Sequence, residues 1–291
     1  MVEIYKLGFV GEKIVGKKFM GILKNPPITP KLFQKRPFYL CNFPINQNLQ
    51  HKTENTMETV KRIIAIGGGE IRSKETLEID RYIAQLARER AGENRPYGLF
   101  IGTASHDSMP YFNSFRKTYT SVFDIKADVA LTVYGEMDLE KIKGKFEKAD
   151  FIYVGGGDTL YMLKRWQEFG LLDLIKDAYE RGVIICGLSA GAICWFEDIY
   201  TDSNLVEREG AYSMQKGLGW LNGRISPHYN ERVNDFDKIM LTLGNGATAY
   251  GIENLAALEF VNGKLTNSIN GGGKAYFIEN DGEKLIKTIL E

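Results

Sequence analysis

From Met57 onward, apolar and polar positions alternate almost continuously at strand or helix period; before it they do not. A strand is predicted over Val60–Ile66 ("VKRIIAI"), running into Gly67-Gly68-Gly69, and the amphipathic "KETLEIDRYIAQLARERAG" follows as a helix. The same unit then recurs. "YGLFIGTAS" precedes "DSMPYFNSFRKTYTSVF", "ADVALTVYG" precedes "DLEKIKGKFEKA", "DFIYVGGGDT" precedes "LYMLKRWQEFGLLDLIKDAYERG", and "VIICGLS" precedes "AGAICWFE". Strands alternating with helices over short connections predict an α/β fold: a doubly wound, mostly parallel sheet with helices on both faces. Near the C-terminus "AYGIENLAALEFVNGKLTNSI" and "GGKAYFIENDGEKL" read as short strands and hairpins, with turns at Val261-Asn262-Gly263-Lys264 and Asn280-Asp281-Gly282. They are expected to extend the sheet with antiparallel edge strands.

The front of the chain differs. Five of the eight prolines fall before Met57, and the segment ends in a polar stretch. Residues 1–56 are therefore expected to be an irregular or disordered N-terminal extension, and residues 57–291 a single α/β domain. The methionine just ahead of the first good strand makes Met57 a candidate translation start. The opening "MVEIYKLGFVGEKIVGKKFM" has neither the apolar core nor the small-residue cleavage site of a secretory signal.

Composition narrows the function classes. Apolar residues at 44% and charged residues at 25% are those of an ordinary globular chain, and no apolar run approaches the length of a spanning helix. Thirty-seven basic residues balance 37 acidic ones, which gives no reason to expect a nucleic acid or a membrane surface as partner. Of the three cysteines, Cys186 and Cys194 lie inside apolar segments. An odd count so placed argues against a disulfide framework and for a reducing, cytoplasmic setting. No metal or cofactor is expected.

The chemistry centres on Gly187-Leu188-Ser189-Ala190-Gly191, between an apolar strand and a helix-compatible run. A Gly-x-Ser-x-Gly elbow holds its serine on a tight strand-to-helix turn, exposed at the carboxyl edge of the sheet, and flanking glycines let neighbouring backbone pass close. An ordinary βα turn is the plain alternative. If Ser189 is a nucleophile it needs a base. His51 lies in the irregular front; His228, in "RISPHYNERVNDF", sits in a loop before a helix. His106, ending the second strand, is the second candidate base or a substrate contact.

A carboxylate should orient the imidazole. Glu197, Asp198, Asp202, Glu207 and Glu209 lie between Ser189 and His228. If the helix after the elbow continues, it carries Glu197 and Asp198 roughly 12–13 Å away; Asp202, in the loop beyond it, is favoured, Glu207 and Glu209 need a longer return but have longer side chains, and spacing alone does not settle the choice. For the oxyanion, the Ala190 N–H at the helix start is one natural donor, and a glycine of "GGGDT" could supply another.

Three pieces in order, "GGGDT", "GLSAGA" and "SPHY", resemble the peptidase E and cyanophycinase family of serine peptidases, whose fold is similar to that of class I glutamine amidotransferases. "IIAIGGGEI" and "TAS" fit too, and the resemblance spans Met57–Glu291. It implies a serine-type peptidase, dipeptidase E-like, acting on small peptides. Ser189 would be its nucleophile, His228 its base, and the N–H groups of Gly157 and Ala190 its oxyanion hole. Asp202 fits the acid's position approximately, and Glu207 lies nearer the one cyanophycinases use. The implied partners are a small peptide substrate and a second copy of the chain as a homodimer. The rival reading is a catalytically silent amidotransferase-like binding or regulatory module. Amidotransferase chemistry itself needs a thiolate, where this elbow has a serine.

Overall fold

The computed structural model describes residues 59–134, 137–203 and 212–291. The expectations for residues 1–56, His51 and Cys41 included, lie outside the described residues, as does Glu207.

Five strands of the first sheet are parallel: β1 (Arg62–Ile66), β2 (Tyr97–Ile101), β3 (Lys126–Ala130), β4 (Phe151–Val154) and β5 (Ile184–Leu188). The hairpin β10 (Ala256–Val261) and β11 (Lys264–Asn270) adds to the β1 edge antiparallel, giving the order β11-β10-β1-β5-β4-β2-β3. Its turn is Asn262-Gly263, both with positive φ, as the Asn-Gly pair predicts.

Strands β1, β2, β4 and β5 are short, apolar and almost wholly buried because helices cover both faces. Ile64 and Ile66 of β1 pack with α1 (Leu77–Ala91) and α2 (Met109–Phe123), through Ile79, Ile83, Phe115 and Tyr119. Ile63 and Ala65 point the other way. They join the core formed with α3 (Leu139–Phe146), α4 (Thr159–Phe169) and α5 (Leu171–Glu180), through Ile142, Trp166 and Ile175. One predicted helical run is thus two helices, parted at Gly170, whose left-handed backbone ends α4.

The sequence reading departs from the structure beyond the elbow. The helix there, α6 (Ala190–Ile193), is one turn long, and the chain leaves it as strand β6 (Phe196–Thr201). Glu197 and Asp198 are therefore strand residues. Glu197 accepts the Gly223 N–H at 2.8 Å, and Asp198 pairs with Lys216 and Arg224. β6 opens a second, six-stranded sheet with β7 (Ser213–Lys216), β8 (Leu221–Ser226), β9 (Thr248–Ile252), β12 (Ala275–Asn280) and β13 (Leu285–Leu290), in the order β13-β12-β9-β8-β6-β7. So only β10 and β11 extend the first sheet; β12 and β13 build the edge of the second. Helix α7 (Tyr229–Thr242) connects β8 to β9 and packs on this sheet through Phe236 and Met240. No helix among the described residues is long and apolar enough to cross a membrane.

Candidate active site

Ser189 sits between β5 and α6 with φ 52° and ψ −110°. A side-chain-bearing residue holds such a backbone only where its surroundings impose it. Here the Ser189 N–H donates to Ile66 O at 2.9 Å, and its carbonyl accepts from Ala192 and Ile193. The Ser189 turn is thereby tied to the end of β1 on one side and to the first turn of α6 on the other.

The same end of β1 holds the histidine. His228, in the left-handed region just before α7, donates its backbone N–H to Gly67 O at 3.0 Å. Its Nε2 lies 2.9 Å from Ser189 Oγ. Its Nδ1 lies 2.6 Å from Oδ1 of Asn254, in the loop between β9 and β10. The Asn254 Nδ2 in turn donates to Glu231 Oε1 at 2.5 Å, and its backbone N–H donates to Asn230 Oδ1 at 2.9 Å. Gly68 is what lets this pair approach the sheet. A β-carbon there would stand 2.0 Å from Asn254 Oδ1 and 2.4 Å from His228 Nδ1. The three-glycine turn that ends β1 is therefore a seat for the histidine, with the Gly68 carbonyl accepting the Leu255 N–H at 3.0 Å.

Ser189 and His228 are thus together, while Asp202 and His106 are engaged elsewhere. Asp202 does not reach the histidine ring: its carboxylate meets Arg232 Nη2 at 3.3 Å. Arg232 is buried one turn into α7, where it also donates to Tyr200 O and lies over the Tyr212 ring, 4.7 Å from its centre. A buried guanidinium requires a counter-ion, and Asp202 supplies it. The imidazole's Nδ1 is taken by Asn254 instead. His106 is exposed, in a left-handed turn after β2, with its ring 4.2 Å from that of Tyr161; it is not among the residues lining the cleft at Ser189. Asn254 and Glu231 escaped the sequence reading, which searched for a carboxylate only between the serine and the histidine.

That cleft has a volume of about 420 Å³ and is lined by Ser189, His228, Gly156, Gly157, Tyr111 and Arg72, among others. Glu70 and Arg72 bring one charge of each sign to its wall. Gly156 donates its N–H to Tyr111 Oη at 3.3 Å. Ala190 is the first residue of α6, so its N–H has no acceptor within the helix. Cys186 and Cys194 are free and buried, and burial pushes both thiols well up, so neither supplies a thiolate near the elbow. Among the described residues no group of three or more His, Cys, Asp or Glu converges as a metal site.

The sequence profile of peptidase family S51 matches residues 63–268, from β1 to β11. The chain belongs to peptidase family S51. It is a serine-type peptidase, a hydrolase. Among curated proteins it is similar to the uncharacterized peptidase YgaJ of Bacillus subtilis, 34% identical over 222 residues that cover 75% of this chain and 91% of the relative. It is also similar to peptidase E of Haemophilus influenzae, 25% identical over 174 residues, or 57% of this chain and 77% of that one. The crystal structure of a peptidase from an acI-B1 Actinobacterium shares the fold with a TM-score of 0.53 at 18% identity, over 79% of this chain and 95% of the other.

Proposed function

We propose that this S51 peptidase hydrolyses small peptides with Ser189 as nucleophile and His228 as general base. The observation that carries the reading is the 2.9 Å contact between His228 Nε2 and Ser189 Oγ, both of which line the cleft. A nucleophile and base within hydrogen-bond reach, the serine on a strained elbow, is the arrangement that acyl transfer requires.

In the reaction Ser189 Oγ attacks the peptide carbonyl carbon while its proton passes to Nε2. The carbonyl π electrons move onto oxygen, where the N–H groups of Ala190 and of Gly157 are suited to receive the negative charge. The C–N bond then breaks and Nε2–H protonates the leaving amine. Water, deprotonated by the same nitrogen, releases the acyl group as a carboxylate and returns the proton to Ser189. A cleft of this volume suits a short peptide, and Glu70 and Arg72 offer partners to its charged ends. A dipeptide-library screen, with Asp-X substrates included, tests the substrate class. Cleavage confined to long unfolded chains would overturn it.

Two expected results follow from the geometry. Burial is the first cause that holds the His228 imidazole below its ordinary value of 6.5; Arg232 adds to it, while Asn254, Glu231 and Asp202 oppose it. A base must be neutral to accept the serine proton, so turnover and fluorophosphonate labelling should persist below pH 6.5 and fall only as pH drops through the lowered pKa. An acid limb above pH 6.5 in the labelling profile would contradict this. Second, Gly68→Ala puts a methyl where the His228–Asn254 pair sits. It should slow labelling by roughly 10²-fold or more, the range of a lost general base. Labelling at the native rate would show that the pair does not need this seat.

A further inference from the structure

We propose that Asn254, backed by the carboxylate of Glu231, is the group that orients His228, a neutral amide relay in place of a directly bonded carboxylate. The inference rests on the roles given above to Ser189 and His228.

The hydrogen-bond chain admits one consistent assignment of protons. For Nε2 to take the serine proton it must be an acceptor, so the single proton of the neutral ring is on Nδ1. That N–H requires an acceptor, and the only acceptor atom of an asparagine side chain is its carbonyl oxygen. Oδ1 lies 2.6 Å away. The orientation of the amide is fixed from its other end. A carboxylate only accepts, so the atom 2.5 Å from Glu231 Oε1 must be the Asn254 NH₂. Reversing the amide would place a donor against Nδ1–H and an acceptor against a carboxylate, losing both bonds. Glu231 thus acts at one remove. It holds the amide in the orientation that selects the productive imidazole tautomer, and it adds a negative charge beyond it.

The position is held by backbone on both sides. Asn254 N–H is taken by Asn230, the Leu255 N–H by Gly68 O, and Leu255 is kept at φ 62°. Asn230 and Glu231 open the helix that follows His228, so the base and both its supports rise from one junction. The charged groups around the imidazole are Arg232, Glu231 and Asp202, with Glu70 and Arg72 on the wall of the same cleft. Asp202 is engaged by Arg232, which leaves Glu231 as the carboxylate coupled to the ring through hydrogen bonds.

A neutral acceptor stabilises the imidazolium less than a carboxylate in contact with Nδ1 does, and this gives the relay a signature that structural support alone would lack. Exchanging the two functions, Asn254→Asp with Glu231→Gln, keeps an acceptor toward Nδ1–H and a donor behind it, and brings the charge into contact with the ring. The exchange is made as a pair because Asn254→Asp alone would set two carboxylates against each other, and they would share a proton.

The test is the rate of labelling by a fluorophosphonate as a function of pH, on the full chain, with thermal midpoints measured beside it. Asn254→Ala should slow labelling by roughly 10²–10⁴-fold. The paired exchange should label within about tenfold of the native rate, with its acid limb moved to higher pH. Glu231→Gln alone should move that limb to lower pH. If Asn254→Ala lowers the midpoint, the paired exchange carries the decision. Native labelling by a folded Asn254→Ala chain, or an unshifted limb in the paired exchange, overturns the relay while Ser189→Ala still abolishes labelling. A Ser189→Ala chain that labels like the native one overturns the nucleophile, and the relay falls with it.

Discussion

Ser189→Ala should abolish peptide hydrolysis and fluorophosphonate labelling while leaving the thermal midpoint almost unchanged. The two halves of this expectation have separate causes. In the proposed reaction Oγ is the atom that forms the acyl bond, and losing the serine of such a unit costs on the order of 10⁴–10⁶ in turnover. The fold should not notice. Ser189 is half-buried, and its Oγ meets His228 Nε2. The bonds that hold the elbow, to Ile66 and from Ala192 and Ile193, are all made by backbone. Alanine at φ 52° is strained no more than serine is. A folded Ser189→Ala protein that still cleaves a dipeptide would sink the assignment. Loss of labelling in a chain that has also lost its cooperative transition would say nothing about the nucleophile, so both measurements belong to one experiment. The same labelling separates the silent-module reading, which expects no reaction in the native chain.

What could be read from the sequence depended on whether the governing constraint is local. The elbow was legible because the steric needs of a strained strand-to-helix turn fall on five consecutive residues. Strands β1, β2, β4 and β5 were legible because burial on both faces makes each of them a short apolar run, Ile63–Ile66 and Ile184–Leu188 among them. The second sheet was not. β7 reads "SMQK" and β13 "LIKTIL", both half-buried or exposed throughout, and β8 "LNGRIS" is buried only at its ends, so none carries the signature of an enclosed strand. The length of α6 was misjudged for a related reason: "AICWFE" is as apolar as a helix face, and Trp195 and Phe196 are buried in the core between the sheets instead.

The partner of His228 was hidden by chemistry as well as distance. A carboxylate was sought in the stretch Ser189–His228, and the residue at Nδ1 is an amide 26 positions beyond the histidine. The turn Gly67-Gly68-Gly69 could be seen, but its reason could not. Nothing in those three letters says that a histidine and an asparagine must dock against the middle one. Asp202 shows the converse. Its loop position suited an orienting acid, and only the buried Arg232 beside it explains where its charge is used.

Gly191→Ala should be among the most destabilising single substitutions in the domain, although it adds one methyl group and sits in a helix, where alanine is ordinarily the better residue. Gly191 is the second residue of α6, and α6 crosses against β4 so closely that a β-carbon there would lie 2.2 Å from Val154 O and 2.7 Å from its carbonyl carbon. The atoms in the way are backbone of a central strand, paired on both sides in the sheet, so they cannot turn aside as a flexible side chain would. The elbow's other glycine is bound by the same crossing: a β-carbon on Gly187 would meet Gly191 O at 2.3 Å. Relief requires α6 to lift from the sheet. That would loosen the Trp195 indole, whose Nε1–H donates to Gly191 O at 2.8 Å, and would carry Ser189 away from His228. Overpacking a rigid site typically costs about 1–3 kcal/mol and sometimes more; with backbone on both sides, a cost of about 3–5 kcal/mol is expected. For a domain of this size that is a fall of the thermal midpoint on the order of 10 °C. Gly144→Ala is the control. It lies in α3 with nothing within 4 Å of its added β-carbon, so it should be neutral or stabilising by about 0.5–1 kcal/mol. Equal midpoints for the two variants would mean that the close crossing of α6 over β4 does not govern the elbow, and that the glycines of Gly-x-Ser-x-Gly are there for another reason.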